Sequence, residues 1–180
     1  PTNEGYAIAK IAGIKLLEFY KKQYNFNSIS LMPCNIYGKN DSFDINYSHV
    51  LSALVKKMVD AKEVGLSNIK LWGTGEAQRE FINVDDVARA ILFYLEKPIN
   101  NSHINIGWGQ DISIHDLAKK IAKYTGYEGH LSWDISKPNG MIRKCMDVSL
   151  MKKTGYNPII SLDEGIKLTI KEYKKIKNKK

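Results

Sequence analysis

Apolar positions recur along this chain with two different spacings, and the changes between them predict the order of its helices and strands. Spacings of three and four residues are typical of a helix that buries one face. They predict helices over residues 4–23, 49–62, about 85–96, 113–124, 148–153 and 162–177. Short apolar runs bounded by turn residues predict strands over 28–33, 69–72, 79–84, 104–107 and 131–134. Helices that alternate with short strands indicate the α/β class.

Individual residues sharpen the ends of these elements. Asp85 or Asp86 is expected to cap the third helix and Ser113 the fourth, because short polar side chains accept hydrogen bonds from the first N–H groups of a helix. Gly126 is typical of a helix end. The residues N-I-Y-G-K-N-D that follow the 28–33 run predict turns. The first helix carries one apolar stripe: Ile8, Ile11, Ala12, Leu16, Phe19 and Tyr20.

Composition limits the class of protein. The chain has 180 residues, 43% of them hydrophobic and 26% charged, which suits one globular domain or a little more. Of its formal net charge of +8, the last ten residues carry +5 through six Lys and one Glu. A solvated helix end accounts for this tail better than nucleic acid or acidic lipid, because no aromatic residues accompany a basic stripe elsewhere. We expect no nucleic-acid partner and no membrane association.

The cysteines and histidines indicate neither a zinc site nor a disulfide framework. Cys34 and Cys145 form no C-x-x-C pair, and the four His are dispersed, so we expect no metal site. No apolar run approaches the roughly 18 residues of a membrane span, and no signal sequence is present. A reduced, cytoplasmic protein is the simplest interpretation, and a disulfide between the two cysteines remains open.

Tyr6 and Lys10 lie four residues apart in the first predicted helix, so they share one face. An ammonium beside a phenol favours the phenolate, which makes the hydroxyl a usable proton donor and acceptor. The same spacing arises in many helices by chance. Its meaning therefore depends on the motifs that follow it.

Four motifs occur in a fixed order, the first of which contains Tyr6 and Lys10: Y-A-I-A-K, M-P-C-N-I-Y-G, W-G-T-G-E-A-Q-R-E-F-I-N-V-D-D-V-A-R-A and H-I-N-I-G. Together they resemble the extended short-chain dehydrogenase/reductase superfamily of sugar-nucleotide epimerases, dehydratases and reductases. Within it, P-T-N-E-G-Y-A-I-A-K-I-A-G-I-K, N-Y-S-H-V-L-S-A-L and S-K-P-N-G-M-I-R-K are most similar to the GDP-L-fucose synthase family, the GDP-4-keto-6-deoxy-mannose 3,5-epimerase/4-reductases.

The resemblance covers the whole chain but only the C-terminal portion of such an enzyme. No G-x-x-G-x-x-G loop is present, and G-T-G-E-A-Q precedes a strand rather than a helix. The resemblance implies the C-terminal part of a doubly wound NAD(P)-binding Rossmann fold, from residues 1–35 and 80–107. Residues 36–79 and 108–180 would form a smaller α/β substrate-binding domain. We expect this portion alone to be inactive.

The resemblance also assigns catalytic and cofactor roles. Tyr6 would protonate O4 of the sugar while NADPH reduces the C4 ketone, and Lys10 would contact the nicotinamide ribose. His49 would be the acid in epimerisation at C3 and C5, close to the cofactor; a capping role at the helix start is the alternative. Other residues expected beside NADP(H) are Pro33, Cys34 and Asn35.

The implied substrate is a GDP-sugar, whose diphosphate needs basic side chains. The residues expected to bind it are Asn35, Ile36, Lys57, Trp72, Arg79, Arg143 and Lys144. Trp72 has core packing at a strand end as an alternative. Lys57 stands where an Arg is expected and lacks its two-pronged hydrogen-bonding geometry. The helix of Tyr6 and Lys10 commonly forms a dimer interface in this superfamily, so a homodimer is expected.

Three functions remain open at this stage. The first is an NADPH-dependent conversion of GDP-4-keto-6-deoxy-mannose, or a related GDP-4-keto-6-deoxy sugar, to GDP-L-fucose or its analogue. The second is a C4 reductase, 4,6-dehydratase or 4-epimerase of another nucleotide sugar. The third is a non-catalytic fragment that binds a sugar nucleotide or dimerises. The residues do not identify the sugar.

Overall fold

A computed structural model of the chain describes residues 4–44, 48–97 and 99–178, and all structural statements refer to these ranges. The helices are α1 (Glu4–Tyr24), α2 (Val50–Glu63), α3 (Val84–Glu96), α4 (Ile114–Thr125), α5 (Ser149–Lys153) and α6 (Leu162–Lys177). The strands are β1 (Ser30–Pro33), β2 (Asn35–Tyr37), β3 (Asn68–Trp72), β4 (Gln78–Arg79), β5 (Phe81–Asn83), β6 (His103–Ile106), β7 (Ile112–Ser113), β8 (His130–Asp134) and β9 (Arg143–Lys144). The predicted α/β class is confirmed.

The strands pair mainly in parallel. β1 pairs with β6, β2 with β5, and β3 with β8, all parallel. β4 lies between β7, which is antiparallel to it, and β9, which is parallel. Parallel pairs need a crossover between their strands, and the helices supply it. The carboxyl ends of β1, β2 and β3 therefore lead into loops, where sites are usually built in such folds.

The buried apolar residues form two clusters. The first packs α2, α4 and α6 against β3, β8 and the aromatic pair Tyr37 and Phe81. The second packs α3 and α5 against β1 and β6, with Tyr156 beside α3. The division of the chain into residues 1–35 with 80–107 and the remainder stays a prediction. α5 and Tyr156, which the prediction placed with residues 108–180, pack in the second cluster beside α3, β1 and β6.

The cap of α3 differs from the prediction. Asn83 is the N-cap, with extended backbone, and its side chain accepts a hydrogen bond from the Asp85 N–H. β5 runs directly into α3, so the last strand residue takes the position that we assigned to Asp85 or Asp86. The caps of α4 are as predicted: the Ser113 hydroxyl accepts from Asp116 N–H, and Gly126 ends the helix in the left-handed conformation at φ 70°.

Asp86 is fully buried and has a structural role instead. Its two carboxyl oxygens accept hydrogen bonds from the backbone N–H groups of Ile159 and Ile160, at 2.9 and 3.0 Å. Arg89 of the same helix also donates to it at 2.5 Å. The side chain therefore fastens α3 to the segment that precedes α6.

The apolar stripe predicted on α1 is exposed. Its large members, Ile8, Ile11, Leu16, Phe19 and Tyr20, are 46–59% accessible. The described chain covers the other side of the helix, so Ile14, Leu17 and Lys21 are half-buried. Lys21 donates to the Asn100 side chain at 2.9 Å. Periodicity identified the helix, but the rest of the chain decides which of its faces is covered.

Two further observations complete the fold. The turn-rich segment after Pro33 includes the short strand β2, and Glu80 separates the predicted 79–84 strand into β4 and β5. In the part of the chain that the structure describes, no helix combines the length and apolar character needed to cross a bilayer.

Candidate functional site

The start of α2 lies between two cavities. His49 is the N-cap residue, with φ −69° and ψ 159°, and its side chain makes no capping hydrogen bond. It lines one cavity, while the next residue, Val50, lines the other. The capping alternative for His49 is therefore wrong, and the residue lines a concave site. Because consecutive residues line them, the two cavities adjoin at this helix end.

We call the cavity that Val50 lines the Arg79 cavity; it has a volume of about 220 Å³. It is lined by Val50, Trp72, Gly75, Ala77, Arg79, Ile114, Pro138 and Asn139. Trp72 is 68% exposed, so the core-packing alternative for it is wrong. Lys137 lies 5.5 Å from the centre of its ring. The Asn139 side chain accepts from Thr74 N–H at 2.7 Å, which fixes the loop of Pro138 and Asn139 against the turn after β3.

Two of the predicted phosphate-binding residues are neighbours in the sheet. Arg79 of β4 is the pairing partner of Lys144 in the parallel strand β9. Paired residues of adjacent strands project to the same face. Nη1 of Arg79 donates to the Gln78 carbonyl at 2.7 Å, and no hydrogen bond of Lys144's ammonium is seen in the described chain. Arg79 lines the cavity, and the pairing places a second cation, Lys144, beside it on the adjacent strand.

The other two predicted basic residues are placed differently. Arg143 is bound to Asp111 through Nε at 2.5 Å and Nη2 at 3.3 Å. This hydrogen bonding lowers the pKa of Asp111 and raises that of Arg143. Lys57 is half-buried on α2 and is not among the residues that line either cavity. Their roles in binding a substrate stay predictions.

The second site, the His49 cavity, has about 230 Å³ and is lined by Ile36, Tyr37, Gly38, Lys39, Asn40, Asp41, His49 and Val84. The loop from Gly38 to Asp41 turns sharply, with Gly38 and Asn40 at φ 131° and 64°. Any side chain at position 38 would press on Val84 and Asn83, because a Cβ there would lie 3.1–3.2 Å from their atoms. Ile36, predicted at the substrate, is part of this cavity.

The segment predicted to lie beside the cofactor joins β1 to β2. Pro33 ends β1 and pairs with Ile106, and the Cys34 N–H donates to the Ile106 carbonyl at 3.0 Å. Asn35 begins β2, and its Nδ2 donates to the Glu80 carbonyl at 2.6 Å. The segment is thus held by backbone pairing on one side and by Glu80 on the other.

Both cysteines are free thiols, so the disulfide that the sequence left open is not formed in this structure. Burial, followed by the charge of Glu80, raises the pKa of Cys34 and of Cys145. Both thiols therefore lie close to Glu80. Within the described residues, no three His, Cys, Asp or Glu side chains are arranged to hold a metal ion.

Tyr6 and Lys10 share one face of α1, as predicted from their spacing. Lys10 Nζ lies 5.4 Å from the centre of the Tyr6 ring, and Tyr6 is 70% exposed. Neither residue is among those that line the two cavities. Trp72 and Arg79 therefore line one cavity, and His49 lines the adjoining one. Lys144 is not a lining residue but pairs with Arg79 in the sheet, while Tyr6 and Lys10 lie on α1 outside both cavities.

Sequence reasoning missed several residues of the site. Glu80, Lys39 and Asn139 were given no role, although Glu80 and Asn139 lie inside motifs that carried the resemblance. The available signal for Glu80 was a carboxylate within R-E-F, inside the strand predicted over 79–84, because a carboxyl group that becomes buried needs partners. Lys39 had no comparable signal, since its position depends on the turn at Gly38.

Known proteins are similar to this chain in sequence. The family described as NAD dependent epimerase/dehydratase matches residues 1–107. GDP-L-fucose synthase 1 of Arabidopsis thaliana is 46% identical, over 97% of this chain and 54% of that protein. GDP-L-colitose synthase of Yersinia pseudotuberculosis is 43% identical, over 98% of this chain and 58% of that protein. The chain thus spans about half the length of the curated relatives that it matches.

Solved structures show the same relationship. GDP-mannoheptose C4 reductase from Campylobacter jejuni with NADP bound is 30% identical, with a TM-score of 0.83. The match covers 96% of this chain and 60% of that one. The resemblance stated from the motifs is confirmed by both kinds of comparison.

Proposed function

This chain belongs to the NAD dependent epimerase/dehydratase family, and on that premise we propose that the protein containing it is an NADPH-dependent epimerase/reductase of a GDP-4-keto-6-deoxy sugar. One observation carries the proposal: the start of α2 separates a cavity lined by an exposed Trp72 and by Arg79, the sheet partner of Lys144, from a cavity lined by His49. A nucleotide sugar needs both, a cationic and aromatic site for the nucleotide and an acid–base site for the sugar.

The Arg79 cavity suits the GDP end of the substrate. Arg79 and Lys144 on one face of the sheet would meet the diphosphate oxygens, since guanidinium and ammonium groups form strong, charge-assisted hydrogen bonds with phosphate. Trp72 offers an exposed ring beside the cavity for the nucleoside. GDP-L-fucose and GDP-L-colitose synthases among the relatives support GDP as the nucleotide.

The His49 cavity suits the sugar end. A C4 ketone acidifies the C–H bonds at C3 and C5, so an acid and a base on opposite faces can invert both carbons. His49, an imidazole without a capping bond, is the acid in this proposal, because imidazole titrates near neutral pH. Tyr6 donates the proton to O4 as the ketone becomes an alcohol, and Lys10, whose ammonium lies over the Tyr6 ring, contacts the nicotinamide ribose.

NADP(H) fits the residues at the end of β1. Pro33, Cys34 and Asn35 follow the carboxyl end of a parallel strand, where nucleotides bind in this kind of sheet. Tyr6 and Lys10 leave a hydroxyl and an ammonium free for a ribose. The cofactor, when bound, supplies the hydride for C4. The solved relative with NADP bound supports this choice of cofactor.

Three further properties belong to the proposal. The protein forms a homodimer through the exposed stripe of α1, helped by Ile91, Leu92 and Leu95 of α3, which are 47–73% exposed. It works in the cytoplasm, where its thiols stay reduced. The 180 residues alone do not catalyse the reaction, because their relatives are about twice as long.

The test is an NADPH-oxidation assay on the full native chain that carries these residues, with GDP-4-keto-6-deoxy-mannose as substrate and the product read by NMR. GDP-L-fucose as product is the expected result. No binding of GDP and no oxidation with any GDP-4-keto-6-deoxy sugar would refute the proposal. The 180-residue segment assayed in parallel tests its predicted inactivity.

A C4 reductase is the second candidate. The similarity to a GDP-mannoheptose C4 reductase favours it specifically. It predicts oxidation of NADPH with C3 and C5 uninverted, and no need for His49. The same NMR spectrum separates the two candidates, and it would also reveal the product of a 4,6-dehydratase or a 4-epimerase.

A further inference from the structure

Glu80 has a buried carboxyl group that none of the roles above uses. It lies between β4 and β5 and is 1% exposed. One carboxyl oxygen accepts from the Gly109 N–H at 2.6 Å, and the other accepts from the Met146 N–H at 2.8 Å. A buried side chain with two backbone donors fixes the position of both segments that supply them.

The main chain of Glu80 makes two more connections. Its N–H donates to the Lys144 carbonyl at 3.2 Å, which extends the pairing of β4 with β9. Its carbonyl accepts from the Asn35 side chain at 2.6 Å. Glu80 thus connects its own strand region to three other segments, those of Asn35, of Gly109, and of Lys144 with Met146. The segments of Asn35 and Lys144, and Arg79 next to Glu80 itself, carry residues of the proposed site.

The surroundings leave the carboxyl group little freedom. Gly107 has no room for a side chain, because a Cβ there would overlap Oε1 of Glu80 and come within 3.4 Å of the Cys34 sulfur. Burial and then the charge of Glu80 raise the pKa of the Cys34 and Cys145 thiols, which lie against it. Gly107 and the two cysteines therefore crowd the carboxyl group in addition to its two donors.

β9 needs such support. Its pairing with β4 consists of only two residue pairs, Gln78 with Arg143 and Arg79 with Lys144. A slip of one residue in a strand moves every side chain to the opposite face. Lys144 would then leave the face of Arg79, and the two cations could no longer meet one diphosphate.

We propose that Glu80 is a positioning residue of the GDP-sugar site: its bond to Met146 N–H holds β9 in the register that places Lys144 beside Arg79. The inference rests on the proposed function, because it concerns binding of GDP. Glu80 itself touches neither substrate nor cofactor. It acts through Lys144.

Glu80→Gln in the full native chain is the test. Glutamine keeps the shape but has one oxygen acceptor and one NH₂ donor, so one of the two backbone N–H groups loses its partner. The Kd of GDP, measured by titration calorimetry, is expected to rise on the order of tenfold. The KM of the GDP-sugar should rise equally, with kcat falling by less.

Asp86→Asn is the matched control. Asp86 is also a buried carboxyl group with two backbone N–H donors, Ile159 and Ile160, but it lies outside both cavities. The Asp86→Asn variant should lower the melting temperature at least as much as Glu80→Gln does and leave the Kd of GDP unchanged. An equal loss of GDP affinity in both variants would mean that Glu80 only stabilises the fold, and would overturn the inference.

A double-mutant cycle asks whether Glu80 acts through Lys144. Residues that work as one unit give non-additive effects. Glu80→Gln should therefore weaken GDP binding about tenfold in the native background and by less than about twofold when Lys144→Ala is already present. Additive losses would contradict the inference.

A measurement on the unaltered protein covers the case in which Glu80→Gln does not fold. Hydrogen exchange of the Met146 and Gly109 amides should slow when GDP is added, because a ligand bound to Lys144 stabilises β9 and the carboxyl bonds linked to it. If GDP binds and the exchange of both amides is unchanged, the inference about Glu80 is overturned, while the proposed function is not. A native chain that binds no GDP would overturn the proposed function as well.

Discussion

Helices α1 and α2 each carry residues proposed to move protons, yet the protein supports the two helices in opposite ways. α2 has 14 residues and buries seven of them, in the middle of the first core cluster. α1 has 21 residues and, in the described chain, buries none. His49 therefore stands at the end of a helix fixed by packing, while Tyr6 and Lys10 stand on an open surface.

The difference follows from what fixes a helix in place. Most of the stability of a protein helix comes from packing of its apolar face rather than from its intrinsic propensity. The start of α2 is fixed in this way, so the cavities around His49 and Arg79 are formed within the described chain. GDP binding should thus depend on the α2 side of the protein, and reduction of the ketone on α1. The two should be separable by mutation.

Tyr6→Phe should have the largest effect on reduction. Removing the hydroxyl removes the proton donor for O4, and general acid–base groups contribute roughly 10²–10⁴-fold to rates. We expect NADPH oxidation with a GDP-4-keto-6-deoxy sugar to fall about 10³-fold, measured by absorbance at saturating substrate. The Kd of GDP should not change.

Tyr24→Phe on the same helix is the control, since Tyr24 is similarly exposed at 63%. It should leave both turnover and GDP binding unchanged. Near-normal turnover by Tyr6→Phe would remove the catalytic assignment of α1, and a large loss of GDP binding would break the proposed separation between the two helices.

His49→Asn should affect epimerisation rather than reduction. Loss of the proposed acid should slow inversion at C3 and C5 on the order of 10²-fold. Deuterium uptake at these carbons from D₂O, followed by NMR without NADPH, measures the step directly. His103→Asn is a suitable control, because His103 begins β6 and lines neither cavity. Unaltered deuterium uptake in His49→Asn would favour the C4 reductase.

Arg79→Ala should weaken GDP binding about 10- to 100-fold, the range for a hydrogen bond to a charged group. Arg143→Ala should cost less than about threefold, because its guanidinium is already held by Asp111 in an exposed pair of small net value. Calorimetry at two salt concentrations measures both. Equal losses would show that the Asp111 pair opens when the nucleotide binds.

Much of the fold was predictable because its signals are local. The 162–177 helix was found at those bounds from apolar spacing. Ser113 caps the start of α4 through its hydroxyl, and Gly126 ends the helix in the left-handed conformation that glycine adopts easily. The α3 cap was wrong because Asn83, the last residue of a strand, was not considered as a helix start. The stripe on α1 was found, but its exposure depends on what packs against it.

The residues of the site could be predicted from the sequence only where they lie within a recognised motif. Trp72, Arg79 and Lys144 came from the resemblance, and no periodicity would have paired β4 with β9, whose residues lie 65 positions later in the chain. Glu80 was missed because its role exists only when Gly109 and Met146 approach it. Long-range contacts of this kind leave no local pattern in the sequence.

The smallest expected effect concerns an ion-pair network that joins α2 to α6. Asp60 accepts from Lys177 at 2.7 Å, from Lys56 at 2.9 Å and from the Tyr173 hydroxyl at 2.9 Å. Partial burial raises the pKa of Asp60, but these three hydrogen bonds together hold it below its usual range. A carboxyl group with a lowered pKa stabilises the fold above its unfolded pKa and loses that contribution as the pH falls through its folded pKa.

Asp60→Asn should therefore lower the free energy of unfolding by about 1 kcal/mol or less at pH 7, because partly exposed pairs are worth little. The difference in unfolding free energy between the variant and the native protein should shrink as the pH falls below about 4, the usual pKa of an Asp in an unfolded chain. Urea unfolding at pH 7, 4 and 2 measures it, with the exposed Glu128→Gln as control. GDP affinity should not change, because the core rather than this network fixes α2. A gap that stays constant with pH, or a loss of GDP binding, would show that the network and not the apolar face holds the start of α2 between the two cavities.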